Sequence, residues 1–470
     1  MSYGNGKDVE LADVGPAKKN VLVTDLHISE GSVEVDDTNK EHLQPYSSSF
    51  FSPDLARIRR EYFSIIFQST GMTLLLMWIL LSVYWAALAY SDRLTSNLTA
   101  WFIDRDNDTI GLALWAAINN DTSPGPRLGW SQVDPTIFAS DEDVMQAVIS
   151  EQIWLALVVE TNATDKLSAA RQTGNSTFNP TSLLTVYYAT ARHEVAIGTA
   201  VIPIYSNLLG EAVSSLATTS AQQYFARIYA QGQANETALQ LIAQAPQTIS
   251  PGIGWTTVDL RPFDAPVASA SLVVGQAFQL IFTFIMVEAN ASARALVQKH
   301  LRLSSYLLLR FAVPLLIYVP MSLTYVLVSM TFGLPINAKF SATGGFFLMW
   351  IYVYLGTSTI GMSLESMVTV LPPRLTPFFL FLLITANLSS SVYPHELTPN
   401  FYRFGIAFPF WNVAQAMRTI VFNTHSYLMR NAGVLSGWII LSALTMTLFT
   451  CYRRGLEVKA AAKPKMDGRT

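Results

Sequence analysis

Long uncharged apolar runs alternate with stretches of mixed polarity along this 470-residue chain. About 20 apolar residues are needed to cross a bilayer as a helix. Six segments meet that requirement: Gly71–Tyr90, Ala268–Val287, a run near Phe311–Thr331, Phe340–Leu364, a run between Arg374 and His395, and Ala432–Tyr452. The pattern predicts an α-helical polytopic membrane protein with six transmembrane helices.

Between the first two runs the period changes. Leu98–Asp104 alternates like a strand, RDND reads as a turn, and IGLALWAAIN follows with helical spacing. LGWSQV predicts a short strand and EDVMQAVISE a helix. IWLALVVE (Ile153–Glu160) is continuously apolar, as expected of a strand covered on both faces. TDKLSAARQ is again helical and SLLTVYYA again a strand. Arg192–Gln231 carries a long helical pattern, expected as two helices because Pro203 interrupts it. Residues 91–266 therefore form an α/β domain, too long for a linker.

Charge gives the orientation. Only 13% of residues are charged, against roughly 25% in an average soluble domain. Arg57, Arg59 and Arg60 precede the first run, and Arg294, Lys299, His300, Arg302 and Arg310 follow the second. Arg453, Arg454, Lys459, Lys463 and Lys465 follow the last. Positive flanks stay cytosolic, so both termini are expected in the cytosol and the α/β domain on the extracytoplasmic side.

Glycosylation sequons give an independent reading. Of nine Asn in residues 91–266, six stand in N-x-[ST]: Asn97, Asn107, Asn120, Asn162, Asn175 and Asn235. Elsewhere only Asn290 and Asn387 do, and both are expected to stay unmodified, one cytosolic and one inside the fifth run. Residues 1–52 hold acids, lysines, Ser and Gly with little apolar content, and are expected as a disordered cytosolic tail. Residues 53–90 supply the juxtamembrane segment and first helix, 267–452 the other five, and 453–470 a basic cytosolic tail.

Candidate chemistry is sparse. Asp104, Asp106 and Asp108 alternate like the opening of a calcium loop, but the positions needing Gly and Glu are Thr109 and Trp115, so an acidic turn is the better reading. The six His are scattered and the single Cys451 cannot form an intrachain disulfide. Neither a zinc motif, a G-x-S-x-G elbow nor a phosphate-binding loop is present. Accordingly no catalytic residue, cofactor or metal is expected, and an ATP-driven activity would require a partner subunit. His193–Glu194 reads as a surface pair, and Glu288 and Glu365 as solvated residues at the cytosolic edges of their helices.

The segment 397–425 is apolar yet broken by Arg403, Pro409, Asn412 and Arg418. Pro409 suits a first helical turn. Phe410, Val413, Ala414, Met417, Ile420 and Val421 fall on one face, and Asn412, Gln415, Arg418 and Thr419 on the other, with Trp411 at the boundary. That pattern predicts an amphipathic helix at the outer interface that enters the leaflet and turns back. Gln276, Gln279, Trp411, Asn412 and Arg418 are the candidate pathway or gating residues.

Two stretches, VDLRPFDAPVASASLVVGQAFQLIF (258–282) and PNFYRFGIAFPFWNVAQAMRTIVFN (399–423), together with the topology, resemble the fungal nitrosoguanidine-resistance family of DUF3533 type. The membrane part of that family is similar to type 2 permeases of ATP-binding-cassette exporters. The resemblance covers roughly Phe51 to Arg454. It implies a plasma-membrane or endomembrane protein linked to drug resistance, with permease-like activity toward small amphipathic molecules or lipids. It also implies an ATPase docking place in the loop after the second span. The alternative is a non-transporting membrane organiser acting through its ectodomain. The partners expected are the lipid bilayer, a second copy or another membrane protein, and no nucleic acid.

Overall fold

A computed structural model describes residues 48–122, 124–230 and 236–462. The expected N-terminal tail up to residue 47, Asn235 and residues 463–470 lie outside the described residues. The chain divides into two compact units, one ending at Gly71 and one starting at Met72. In the first, a turn at Pro53–Leu55 opens helix α1 (Ala56–Leu88), whose residues from Met72 onward belong to the second. Phe50 packs its ring edge-on against Tyr62 and Phe63, and Arg59 Nη1 donates to the Phe50 carbonyl at 2.8 Å.

The second unit holds a five-stranded mixed sheet built from β1 (Thr99–Asp104), β2 (Gly129–Val133), β3 (Leu155–Val159), β4 (Leu184–Tyr188) and β5 (Trp255–Asp259). Its order is β2-β1-β3-β4-β5. β1 runs parallel to β2 and β3, β4 antiparallel to β3, and β5 parallel to β4. Every side chain of β3 is buried, as its unbroken apolar run requires. Alternation sends Leu155, Leu157 and Val159 to one face, against helices α2 (Thr109–Asn119) and α4 (Ala163–Thr173). Ala156 and Val158 point to the other, where α3 (Asp141–Ile149) supplies Val144 and Val148.

The three alternating acids close the turn between β1 and α2. Asp104 Oδ1 accepts the backbone N–H groups of Asp106 and Asn107. Asp106 accepts from the Thr164 N–H and hydroxyl, and Asp108 caps α2. Gly111 lies against the Asp104 carboxylate, where a Cβ would overlap it.

Residues 194–230 form one rod rather than two helices. A turn at Glu194–Ala196 runs through a π-helical segment, Ile197–Val201, into α5 (Ile202–Ala230). Pro203 has no N–H to donate, and the wider turn just before it absorbs the missing bond. Helix α6 (Glu236–Gln244) follows; the sequence pattern had not marked it.

Helix α7 (Gly275–Val297) is entered through its own π-helical turn, Ala270–Val274. It is followed by α8 (Leu303–Thr331), α9 (Ala342–Val368), α10 (Thr376–Ser389), α11 (Pro409–Phe422) and α12 (Leu428–Ala462). α9 is the hub, touching α7, α8, α11 and α12. Among the described residues, six helices are long and apolar enough to cross a membrane, but they are not the six read from the sequence. The expected fifth span is only the 14 residues of α10, about 21 Å long, short of the ~30 Å hydrocarbon core. Its place by length and composition goes to Glu194–Ala230. The apolar side of that rod is already committed: Ala196, Ile197, Val201, Tyr205, Leu209 and Val213 pack on the sheet.

Candidate functional site

All 14 residues of α11 are buried, its polar positions included. The expected amphipathic helix with a polar face toward water is therefore corrected to a helix walled in on every side. Its start is deep. The Phe410 N–H donates to Asn387 Oδ1 at 3.1 Å, and the Phe410 carbonyl accepts from Gln276 Nε2 at 3.4 Å. Val413 packs on Gly356, where a Cβ would stand 2.5 Å from its Cγ2. Gly356 lies 14 positions along α9 from Ala342, about 21 Å into the bundle.

The far end of α11 reaches the α/β domain. Asn423, with φ +54°, stops the helix in the left-handed conformation. Its carbonyl accepts from Arg261 Nε at 2.8 Å, and the Phe422 and Phe263 rings lie 4.7 Å apart. Before α11 the chain folds back as a hairpin: Leu397 enters the domain core, while Gly405 returns to lie on Ser390, a contact too close for a side chain. α11 thus runs from mid-bundle up to the domain, and the chain before it folds back as this hairpin.

The candidate residues are distributed along it. Asn412 Nδ2 donates to the carbonyls of Ile406 and Phe408, bracing the start of the helix. Trp411 is buried under His395, ring centres 4.1 Å apart, and does not sit at a solvent boundary. Gln279 Nε2 donates to Thr357 Oγ1 at 3.1 Å, and Gln276 donates to the Leu272 carbonyl as well as to Phe410. These side chains surround a space of about 20 Å³, room for one water at most. Gln276 and Gln279 thus converge with Thr357 on one buried polar seam, whereas Asn412 is spent on the start of its own helix.

Arg418 stands apart, at the domain end. Its Nη2 donates to Glu194 Oε2 at 2.6 Å. His193 is buried beside this pair, its Nδ1 accepting the Ala196 N–H. Burial first, then the Arg418 charge, pushes its imidazole down to about 3, so it is neutral. Burial raises the Glu194 carboxyl, but the charge and hydrogen bond of Arg418, with help from a backbone hydrogen bond, hold the group below the usual range. Arg192 lies 3.7 Å over the Trp154 ring and 3.7 Å from Glu396. His193–Glu194 is thus no surface pair: together with Arg418 it fastens the domain to α11.

Glu365 is corrected in the same sense. It is wholly buried and takes both guanidinium nitrogens of Arg294, at 2.8 and 2.6 Å. Arg310 Nη2 donates to its carbonyl at 2.6 Å and lies 3.5 Å from its carboxylate, while Arg310 Nη1 donates to Thr450 Oγ1. Two cations share one anion inside the bundle. Glu288 is half-buried, with Oε1 enclosed and unpartnered. In the sequence Arg294, Arg310 and Glu365 stand as flanks of apolar runs; opposite charges at the same side of three successive runs are the signal that they meet. Asn387 was also missed as a site residue. Among the sequons, Asn97, Asn107, Asn120, Asn162 and Asn175 are exposed, whereas Asn290 and Asn387 are buried in helices.

A bundle of apolar helices, an inserted α/β domain and a fully buried helix joining them define a multi-pass helical membrane protein. The two stretches 258–282 and 399–423 meet each other through Arg261–Asn423, Phe263–Phe422 and Gln276–Phe410. The chain belongs to the DUF3533 family, described as a protein family of unknown function, whose model matches residues 71–444. It is similar to an uncharacterized endoplasmic reticulum membrane protein of Saccharomyces cerevisiae, 23% identical over 462 residues, covering 92% of this chain and 89% of the relative. No solved structure matches the chain.

Proposed function

We propose that this protein is permease-like, exporting small amphipathic compounds or redistributing lipids, and thereby contributes to toxicant resistance. The observation that carries the reading is the re-entrant helix α11 meeting Gln276 and Gln279 in mid-bundle, a buried polar seam inside apolar helices. Intramembrane polar groups that converge in this way mark substrate paths more often than lipid-facing surface. The arrangement resembles type 2 permeases, in which re-entrant helices lie on the outer side. No phosphate-binding motif stands in the chain, so energy would come from a partner or from the substrate gradient.

In this reading both termini are cytosolic and the glycosylated domain faces outward. The basic flanks and the exposure of five sequons support it. The plasma membrane is the proposed destination; the relative's location makes the endoplasmic reticulum the other arm of the test. Fluorescent tagging separates these, and a glycosidase mobility shift lost in Asn→Gln variants reports the orientation.

The decisive test is accumulation of a labelled amphipathic toxicant in deletion and overexpressing strains. Faster accumulation on deletion is expected; rates equal to wild type refute the permease reading. The closed seam, with about 20 Å³ of space, favours a second reading as a non-transporting assembly partner. Inactivity in liposomes with stoichiometric co-purification of another membrane protein would support that alternative.

A further inference from the structure

Helices α7 and α8 are linked near both ends. At the domain end, Ser271 and Ser329 hydroxyls lie 3.1 Å apart, and the Tyr325 hydroxyl donates to the Ser271 carbonyl at 2.6 Å. At the other end, Arg294 and Arg310 both hold Glu365. Between these links, Pro320 deprives α8 of one backbone bond, a recognised cause of bending. The π-helical turn leading into α7 resets its face, and Gly275 leaves just the room that the Tyr325 hydroxyl fills.

The result is a groove of about 700 Å³, within the ~300–1,000 Å³ typical of small-molecule sites. It opens sideways, where Phe278, Phe282 and Phe332 are 56%, 55% and 73% exposed. Along α8 it runs from Ile317 to Phe332, about 22 Å of helix rise. That is most of a ~30 Å hydrocarbon core. A long apolar groove running along membrane helices suits an extended hydrocarbon chain, and its open side faces lipid rather than water in this reading.

The inner wall is different. Gln279 and Tyr325 line the groove and also the small space beside Gly356, Thr357 and Val413. These two side chains stand between the bilayer and the re-entrant helix.

We propose that this groove binds the acyl chain of a membrane lipid lying along α7 and α8. The polar head sits at the Ser271–Ser329 end, and Gln279 and Tyr325 form a lateral gate to the seam. The inference rests on the permease reading for what the bound lipid is there to do.

The test uses the full chain in native-lipid nanodiscs with a phospholipid carrying a diazirine and an alkyne on one acyl chain. Adducts are mapped by peptide mass spectrometry. They are expected to concentrate on α7 and α8. Thr324→Trp, at an exposed position in the groove, should reduce them at least fivefold, whereas Leu444→Trp, on the exposed side of α12, should leave them unchanged. Both variants are first required to elute as monodisperse protein. Even labelling of all lipid-facing helices, or adducts unaffected by Thr324→Trp, would overturn the proposal. So would preferential labelling by a photoreactive sterol, or a disulfide-linked dimer formed by Thr324→Cys. Groove adducts with normal toxicant accumulation on deletion would leave the lipid site standing and remove the permease reading. A deletion phenotype without groove adducts would remove this inference alone.

Discussion

Glu365 lies on α9, where Arg294 of α7 and Arg310 of α8 converge on it. It has no exposed surface and carries two guanidinium partners. Glu365→Gln keeps the shape and removes the charge, leaving Arg294 and Arg310 buried without it. Breaking a buried ion pair by removing one partner costs about 3–5 kcal/mol. With two cations orphaned by one change, the upper end of that range is expected. The arginine variants should be milder. Arg310→Met leaves the bidentate Arg294–Glu365 pair intact. The Glu365 carbonyl still accepts from Thr369 Oγ1, and Thr450 Oγ1 still donates to the Met446 carbonyl, so the cost should be within about 1 kcal/mol. Arg294→Met leaves Glu365 only the longer 3.5 Å contact with Arg310 and should fall between, at about 2 kcal/mol. The assay is the inactivation half-life of detergent-solubilised fluorescent fusions at fixed temperature, read by size exclusion. A tenfold shortening corresponds to about 1.4 kcal/mol on the unfolding barrier. Glu365→Gln as durable as wild type, or Arg310→Met as damaging as Glu365→Gln, refutes the shared-anion account.

The clamp between the domain and α11 should be acid-sensitive. The depressed Glu194 carboxylate contributes stability present above the ordinary glutamate range and lost as pH falls through its lower folded value. His193, held near 3, adds a loss as pH falls from about 6.5 toward 3, because the unfolded chain takes up a proton that the folded one refuses; the slope is about 1.4 kcal/mol per pH unit. Stability measured by denaturant titration across this window should flatten in His193→Asn; an unchanged slope would count against the buried neutral imidazole. Gly361→Val should collapse the bundle, since even a Cβ there overlaps the Tyr318 ring, while Gly437→Val, with open space around it, should elute as wild type. In a Cys451→Ser background, Met417→Cys should resist a bulky aqueous maleimide and Phe401→Cys, exposed by 69%, should react; rapid labelling of Met417→Cys would undo the re-entrant placement.

Much of the α/β domain was legible because strands and helices differ in period. The apolar run at Ile153–Glu160 announced β3, and the four strands expected before α5 all formed. The bundle was legible as a count but not as a membership. Glu194–Ala230 passes for a span by length and composition although the sheet covers its apolar side, because hydropathy measures what a side chain dislikes, not which apolar surface covers it. α11 shows the same limit. Its helical start at Pro409 and its two faces could be read, but Arg418 and Asn412 looked like a watery face because their partners, Glu194 and the carbonyls of Ile406 and Phe408, come from a distant strand-to-helix junction and a folded-back hairpin. Glu365 was misread for the same reason: a glutamate near a helix end is ordinarily solvated, and only the convergence of α7, α8 and α9 supplies its counter-charges.

The rod formed by residues 194–230 carries a consequence for synthesis. Emerging from the ribosome, it is greasy enough to be taken for a span. Four of the five strands precede it in the chain, so the surface that claims its apolar side already exists when it appears. Chain order thereby protects the topology. Moving β1–β4 behind this rod in a permuted gene would leave it without a receiver, and lipid would compete for it first.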